Sequence, residues 1–401
     1  EAMQQHGMNP QDNREHNRAT ILTLIRNHGP ISRTELARFS RLSKPVVTKI
    51  VDSLISVNLV FESYKAKSGV GRRPIMLELN QEHLRIIGVD LARTHVEIVV
   101  TDLAGGTLDR FRQPIDTESP GITVDQVVDA LRKPLRWLRA KYELIGIGIG
   151  HPIPLSTSSH IAVGEVAPEG WYNIDLKSIL SEEFGIPVFI GNDANVAALY
   201  EKWYGVASSF RDFIYIMIGR GVGAGIYCDG RLLLGQSGIA GEFGHILVNP
   251  KGKPCVCGKR GCLETEISIP VLLSKMATGA DAEFFETDTL LQRLANSNSD
   301  TRGLLREYAH TTGMHIGNLI NIFNPEAVVI GGKIAELEQL LAEELERSID
   351  KTVHPIMRGG HQLIFSAATE NKVAKGASVL VQQHFFTYPH KYISDFERAS
   401  S

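Results

Sequence analysis

Within residues 245 to 264 the chain places one histidine and three thiols, His245, Cys255, Cys257 and Cys262, followed by Glu264. Three cysteines within eight residues, with a histidine ten positions earlier, supply the four donors of one tetrahedral zinc ion. Gly258 and Gly261 fall where a tight knuckle must turn the thiolates inward. A disulfide is the competing use of these thiols, but it leaves His245 without a role, and the fourth cysteine, Cys228, stands apart. Three thiolates and an imidazole close the coordination shell, so the spacing predicts a structural metal with no open position for water. Two carboxylates flank the knuckle, Glu242 three residues before His245 and Glu264 two after Cys262. They mark where a ligand is expected.

Those side chains need a large frame. A chain of 401 residues exceeds one ordinary core, so two or three domains are expected. The apolar share of 43% and charged share of 22% are those of a soluble globular protein. No apolar run is long enough for a membrane span and no leader pattern is seen, so membrane insertion and secretion are not expected. Four cysteines make no disulfide framework, which fits a reducing cytoplasm. The net charge of −3 hides an asymmetry: residues 1–85 hold 13 Lys and Arg against 8 Asp and Glu. A basic head on an acidic body points the head toward a polyanion.

The head carries its own pattern. Apolar residues at helical spacing (Ile21, Leu22, Leu24, Ile25) predict a helix from Asn17 to Asn27. A second helix opens at Ser32, with Glu35 three positions on as a capping box. After a short turn at Ser40-Arg41-Leu42, Ser43 caps a third helix with Pro45 in its first turn and a buried stripe of Val46, Val47, Ile50, Val51 and Leu54. This is the helix-turn-helix order, and the third helix would present Ser43, Lys44, Thr48 and Lys49 to the major groove. Two strands near residues 59–62 and 75–79, around a tip holding Arg72 and Arg73, make a hairpin wing whose arginines reach phosphate or the minor groove.

From Leu84 onward the pattern becomes β-rich and then α/β. Strands are expected over 85–91 and 94–103, ending at the Gly105-Gly106 turn, then a helix near 124–142. Buried strands follow at 144–150 and 188–191, and Asn192-Asp193-Ala194-Asn195 opens a helix through Trp203. A strand over 212–218, a glycine loop over 219–225 and a return at Ile226-Tyr227 repeat the start. One glycine-turned hairpin per half predicts two related lobes facing a cleft.

These residues resemble the ROK family of repressors and sugar kinases. The matching pieces are Asn192 to Asn195, the glycine loop at 219–225, Gly238 to His245, Cys255 to Glu264, and Asn324 to Gly332. The resemblance implies an α/β actin-like ATPase/hexokinase-type two-lobed body, joined to an N-terminal α+β winged helix-turn-helix domain. It divides the chain into a DNA-binding domain at 1–82, a first lobe at 83–195 completed by 372–390, and a second lobe at 196–371 with the zinc knuckle and dimerisation surface.

The resemblance also sets kinase against regulator. The family's kinases hold ATP phosphates in a hairpin reading Asp-x-Gly-Gly-Thr, where this chain has Asp90-Leu91-Ala92-Arg93-Thr94. Phosphate needs close backbone approach, and the side chains of Ala92 and Arg93 stand in that path. Arg220 replaces a customary threonine in the second loop; both arginines are cationic and could also contact phosphate. Asp193 matches the kinases' general base, yet the same carboxylate suits sugar recognition alone. The resemblance therefore implies a sugar site of Asn192, Asp193, Glu242, His245 and Glu264 without catalysis, Asp193 being a vestigial base.

The implied protein is a cytoplasmic, sugar-responsive repressor of carbohydrate genes. It binds double-stranded operator DNA as a homodimer or dimer of dimers, takes a sugar or sugar phosphate in the interlobe cleft, and carries one structural Zn²⁺ per chain. Two other readings stand beside it: an active sugar kinase with a DNA-binding appendage, and a regulator controlled by a phosphotransferase-system protein. Pro152-Ile153-Pro154 departs from the family's usual glycine and leaves effector identity open. Trp171 either stacks on a sugar or is an ordinary core residue. The apolar helix at 314–323 belongs to core or dimer interface, and the acidic helix at 336–350 to a solvated face.

Overall fold

In the computed structural model, residues 10–63, 74–115, 119–153, 174–276, 301–367 and 371–393 are described. Helix α1 (Pro10–His28) starts well before Asn17, because its polar first turns carry no apolar period; burial begins at Ile21, Leu22 and Ile25. Strand β1 (Ile31–Ser32) leads into α2 (Arg33–Ser40), whose capping box forms both ways: Ser32 accepts from the Glu35 N–H, and Glu35 accepts from the Ser32 N–H at 3.0 Å. Arg41, in the left-handed region at φ 58°, ends α2.

Helix α3 (Lys44–Ser56) starts after Ser43 with Pro45 in its first turn, but the Ser43 side chain makes no capping bond. Val47, Val51 and Leu54 are fully buried. Val46 is instead 40% exposed, a correction to the expected stripe. One residue of helix turns about 100°, which carries Val46 off the buried face onto its flank. Strands β2 (Val60–Ser63) and β3 (Met76–Leu79) pair antiparallel, with β1 added on the far side of β3. The wing tip with Arg72 and Arg73 lies outside the described residues, as do Pro154 and Trp171.

The body repeats one plan twice. The first sheet holds β4 (Leu84–Leu91), β5 (His95–Thr101), β6 (Thr107–Pro114), β7 (Glu143–His151) and β8 (Val188–Asn192) in the order β6-β5-β4-β7-β8. The second holds β9 (Phe213–Ile218), β10 (Val222–Cys228), β11 (Arg231–Leu232), β12 (Ala327–Gly331) and β13 (Gln362–Phe365) in the order β11-β10-β9-β12-β13. Each is an antiparallel meander extended by two parallel strands. Strand β6 escapes the sequence reading because it is largely exposed and shows no apolar alternation.

Helices cover the sheets: α4 (Pro120–Arg139, with Pro134 inside it), α5 (Leu176–Phe184), α6 (Asp193–Trp203), α7 (Glu264–Ile267), α8 (Ile269–Met276), α9 (Thr301–Phe323), α10 (Glu338–Thr352) and α11 (Lys372–Thr387). Helix α11 returns to the first sheet. A Cβ on Gly148 of β7 would lie 1.8 Å from the Ala377 carbonyl oxygen, so this strand alternates buried isoleucine with glycine to admit the helix backbone. Helix α6 packs on α11 and on β10, and a lobe boundary drawn at 195/196 falls inside it.

The expected glycine loop at 219–225 is shorter than predicted. Strand β10 begins at Val222, so only 219–221 turn the chain. Gly225 is a strand residue facing α6, where a Cβ would come within 2.4 Å of the Ala198 Cβ. Its smallness serves helix packing.

The head and the base of the first lobe share one apolar cluster. Ile21, Leu22, Leu36 and Val47 join Leu103, Phe385, Phe386, Tyr392 and Ile393. Among the described residues no helix is long and apolar enough to cross a membrane.

Candidate effector and metal site

The site starts where β8 becomes α6. The Asn192 side chain accepts from the N–H groups of Ala194 at 3.0 Å and Asn195 at 3.2 Å, capping the helix. Asp193 thereby occupies the first turn, its carboxylate accepting from the Ala194 N–H at 2.7 Å. A helix N-terminus favours an anion. Burial nevertheless dominates and pushes Asp193 up to about 6; Ala194 and Arg93 pull it down, and Glu264 adds repulsion.

Two more carboxylates converge from the second lobe. Burial pushes Glu242 up to about 7, with repulsion from Asp193 and Glu264 as further causes. Glu264, the first residue of α7, accepts from the Val222 N–H at 2.9 Å, which ties it to the turn of the second hairpin. Arg93 of the first hairpin is exposed and acts electrostatically on Asp193. Arg220 is exposed on the second hairpin turn. Three carboxylates from separate segments are thus placed to accept hydrogen bonds from a polyhydroxylated ligand.

The four donors of the knuckle also converge. His245 Nδ1 lies 3.5 Å from Cys255 Sγ, and Cys257 Sγ lies 3.4 Å from Cys262 Sγ. All four ligand atoms fall within 4.8 Å of one another, and the group could hold a metal ion. Bonds of about 2.3 Å in a tetrahedron set donors roughly 3.8 Å apart, so the residues fit such an ion. Gly261 turns the knuckle at φ +73°, where a Cβ would meet the Asn249 carbonyl oxygen at 1.5 Å. Burial, aided by the neighbouring thiols, pushes Cys262 up to about 12, so a metal must displace its proton. The second imidazole nitrogen of His245, Nε2, lies 3.8 Å from the Glu242 carboxylate and joins the knuckle to the carboxylate cluster.

On the head, Ser43 just before α3 and Lys44, Thr48 and Lys49 on it are all exposed. Sequence reasoning missed the acid beside them. Asp52, on the same helix, is held by Arg33 at 3.0 Å, and Arg33 also pairs with Glu62 at 2.7 Å. No local pattern could have revealed this three-segment pairing.

A winged helix set on a duplicated, two-lobed α/β body, with a carboxylate cluster beside a His/Cys knuckle, defines a DNA-binding regulator built on a sugar-kinase type of fold. The profile of the ROK family matches residues 86–384, and that of the MarR family matches residues 15–61. The chain belongs to the ROK family. It is 32% identical to the xylose repressor of Bacillus subtilis (strain 168) over 371 residues, 92% of this chain and 95% of that one. It is 30% identical to the DNA-binding transcriptional dual regulator NagC of Escherichia coli (strain K12), covering 92% of each.

Among solved structures, a ROK family transcriptional regulator, homolog of the E. coli MLC protein, superposes with a TM-score of 0.80 at 26% identity, covering 95% of this chain and 99% of that one. A ROK family glucokinase from Streptomyces griseus, in complex with glucose and AMPPNP, gives 0.63 at 26% identity, covering 75% of this chain and 99% of that one. The kinase match therefore leaves about a quarter of the chain uncovered, whereas the regulator match spans nearly all of it.

Proposed function

We propose that this chain is a cytoplasmic repressor that binds operator DNA through α3 and the wing, and a sugar or sugar phosphate in the cleft. The observation that carries the effector half is the convergence of Asp193, Glu242 and Glu264 from three segments, two of them with carboxyl groups pushed up by burial. Ionised carboxylates accept from adjacent hydroxyls, and the relatives named xylose repressor and N-acetylglucosamine repressor support the same ligand class. Asn192 and His245 complete the proposed contacts. The knuckle takes one zinc ion through His245, Cys255, Cys257 and Cys262, in a structural role, and the ion holds His245 facing Glu242. Ser43, Lys44, Thr48, Lys49, Arg72 and Arg73 contact DNA, and two heads of a homodimer read a two-fold site.

No phosphoryl transfer is assigned. Asp193 keeps the place of a base, but Ala92 and Arg93 occupy the first hairpin where backbone must approach phosphate, and Gly225 serves packing. The decisive experiment is thermal stability against D-xylose, glucose and N-acetylglucosamine, the latter two also as 6-phosphates, and ATP. A selective sugar shift that also changes operator affinity supports the regulator. A shift with ATP plus sugar-dependent ADP production, lost in Asp193→Asn, makes it a kinase. Silence with every sugar, with DNA binding intact, moves the effector to a protein such as a phosphotransferase component.

A further inference from the structure

Helix α6 begins at the carboxylate cluster and ends beneath the DNA-binding head. It runs 11 residues from Asp193 to Trp203, about 16 Å at helical rise. At the far end the Arg26 guanidinium, in the last turn of α1, sits 3.4 Å from the centroid of the Trp203 ring and 5.1 Å from that of Phe386 on α11. Burial lowers Arg26 to about 10, so it stays charged at neutral pH, and among the described residues no carboxylate forms an ion pair with it. A cation over a ring face is held by the ring's quadrupole and can slide across it. An ion pair would pin it.

The joint also borders open space. A cavity of about 290 Å³, open to solvent, lies between head and body, lined by Arg26, Asn27, Glu78, Gln81, Trp203 and Tyr204 among others. Beside it, the Tyr204 hydroxyl donates to Gln382 Oε1 at 2.8 Å. By contrast α6 itself is tightly held. A Cβ on Gly376 of α11 would lie 1.8 Å from the Val196 carbonyl oxygen, so the two helices touch backbone to backbone. Glu201, fully buried, pairs with Lys372 at 3.0 Å and accepts from the Ser366 hydroxyl at 2.5 Å, linking α6 to the start of α11 and the end of β13. A helix so braced moves as a rod, whereas the seat of Arg26 has room to rearrange.

We propose that Arg26 and Trp203 are the positioning pair through which occupation of the Asp193 end of α6 is relayed to the DNA-binding head. A displacement of α6 at the ligand moves the Trp203 ring, and Arg26 follows it across the cavity. Ile21, Leu22 and Ile25 lie on the same helix and share an apolar cluster with Leu36, Val47 and Leu54 of α2 and α3, so α1 carries the head with it. This deepens the effector reading above and rests on it.

The test uses the full chain, an operator duplex selected from random sequence by the wild-type protein, and D-xylose, glucose or N-acetylglucosamine as effector probes. In Arg26→Lys and Trp203→Leu, sugar Kd and sugar-free operator Kd should stay within about threefold of wild type, while the sugar-dependent change in operator Kd shrinks to less than about twofold. Trp203→Phe, which keeps a ring face, should retain part of the response. Wild-type coupling in both Arg26→Lys and Trp203→Leu overturns the proposal. Should no sugar alter operator binding in the wild type, the effector reading fails, and the joint is then judged by DNA alone. In a chain with Trp137→Phe and Trp171→Phe, a change in Trp203 emission on saturation with operator supports the joint; unchanged emission overturns it.

Discussion

Nε2 of His245 faces the Glu242 carboxylate at 3.8 Å while Nδ1 of the same ring faces Cys255 at 3.5 Å. One imidazole thus belongs to both the knuckle and the carboxylate cluster. A metal on Nδ1 leaves Nε2 with its proton, which holds the ring's tautomer and aims a donor at Glu242.

Removing the metal should therefore be felt at the ligand. Elemental analysis of purified protein is expected to give one zinc per chain. Cys257→Ser should lose it and lower the thermal midpoint of the body by several degrees, in line with metal binding that contributes folding energy. Sugar affinity should fall with it. A metal-free Cys257→Ser protein with full sugar affinity would show the knuckle to be peripheral.

With Asp193 as a contact of the proposed effector, ligand binding and stability oppose each other at this residue. Its carboxyl is raised from 3.8 to about 6 in the folded chain. The folded state holds the proton more tightly than the unfolded one, so this group favours folding below about pH 4 and loses that contribution as pH rises toward 6. At pH 7 the buried charge costs stability, and Asp193→Asn should stabilise the sugar-free protein by up to about 3 kcal/mol while abolishing sugar binding. Sugar affinity of the wild type should weaken up to about tenfold per pH unit below 6 and vary little from this group above 7. Denaturant melts and titration calorimetry across pH 5–8 check both signs; a destabilised Asp193→Asn would sink the argument.

On the head, Lys49 is exposed on α3 and Arg33 neutralises Asp52 on the same helix. Lys49→Ala should weaken operator binding and, with one cation fewer beside the duplex, lower the salt slope by about one. Arg33→Ala leaves the Asp52 charge unpaired beside the phosphates, and should weaken DNA binding without removing any DNA contact. Equal operator affinity of wild type and Arg33→Ala over a salt series would refute the screening role.

Gly148→Ala tests the seat of α11. Its Cβ would meet the Ala377 carbonyl oxygen at 1.8 Å, both atoms being backbone-anchored. Either the helix or the strand must shift, at a cost of about 1–3 kcal/mol typical of overpacking. A chemical melt within about 0.5 kcal/mol of wild type would mean that α11 gives way freely.

What could be read along the chain is local chemistry. The four donors at His245, Cys255, Cys257 and Cys262 lie within one short stretch, and the Ser32–Glu35 capping box spans a single turn; spacing alone brings such groups together. The two hairpins, one per half, were legible because antiparallel neighbours are joined directly. Ligand geometry was not. Asp193, Glu242 and Glu264 meet because α6, which starts at Asp193, packs on β10 of the second sheet, and the raised carboxyl groups of Asp193 and Glu242 follow from a burial that no residue pattern encodes. The glycines at 148, 223 and 225 read as strand or loop, and only the helices laid against them show why a side chain is excluded there. Val46 looked apolar and therefore buried, yet a flank position on α3 left it exposed. Arg26 looked like one more cation of a basic head until the fold set it over Trp203. Composition and spacing determine which groups are available, and their burial and partners are decided by long-range packing.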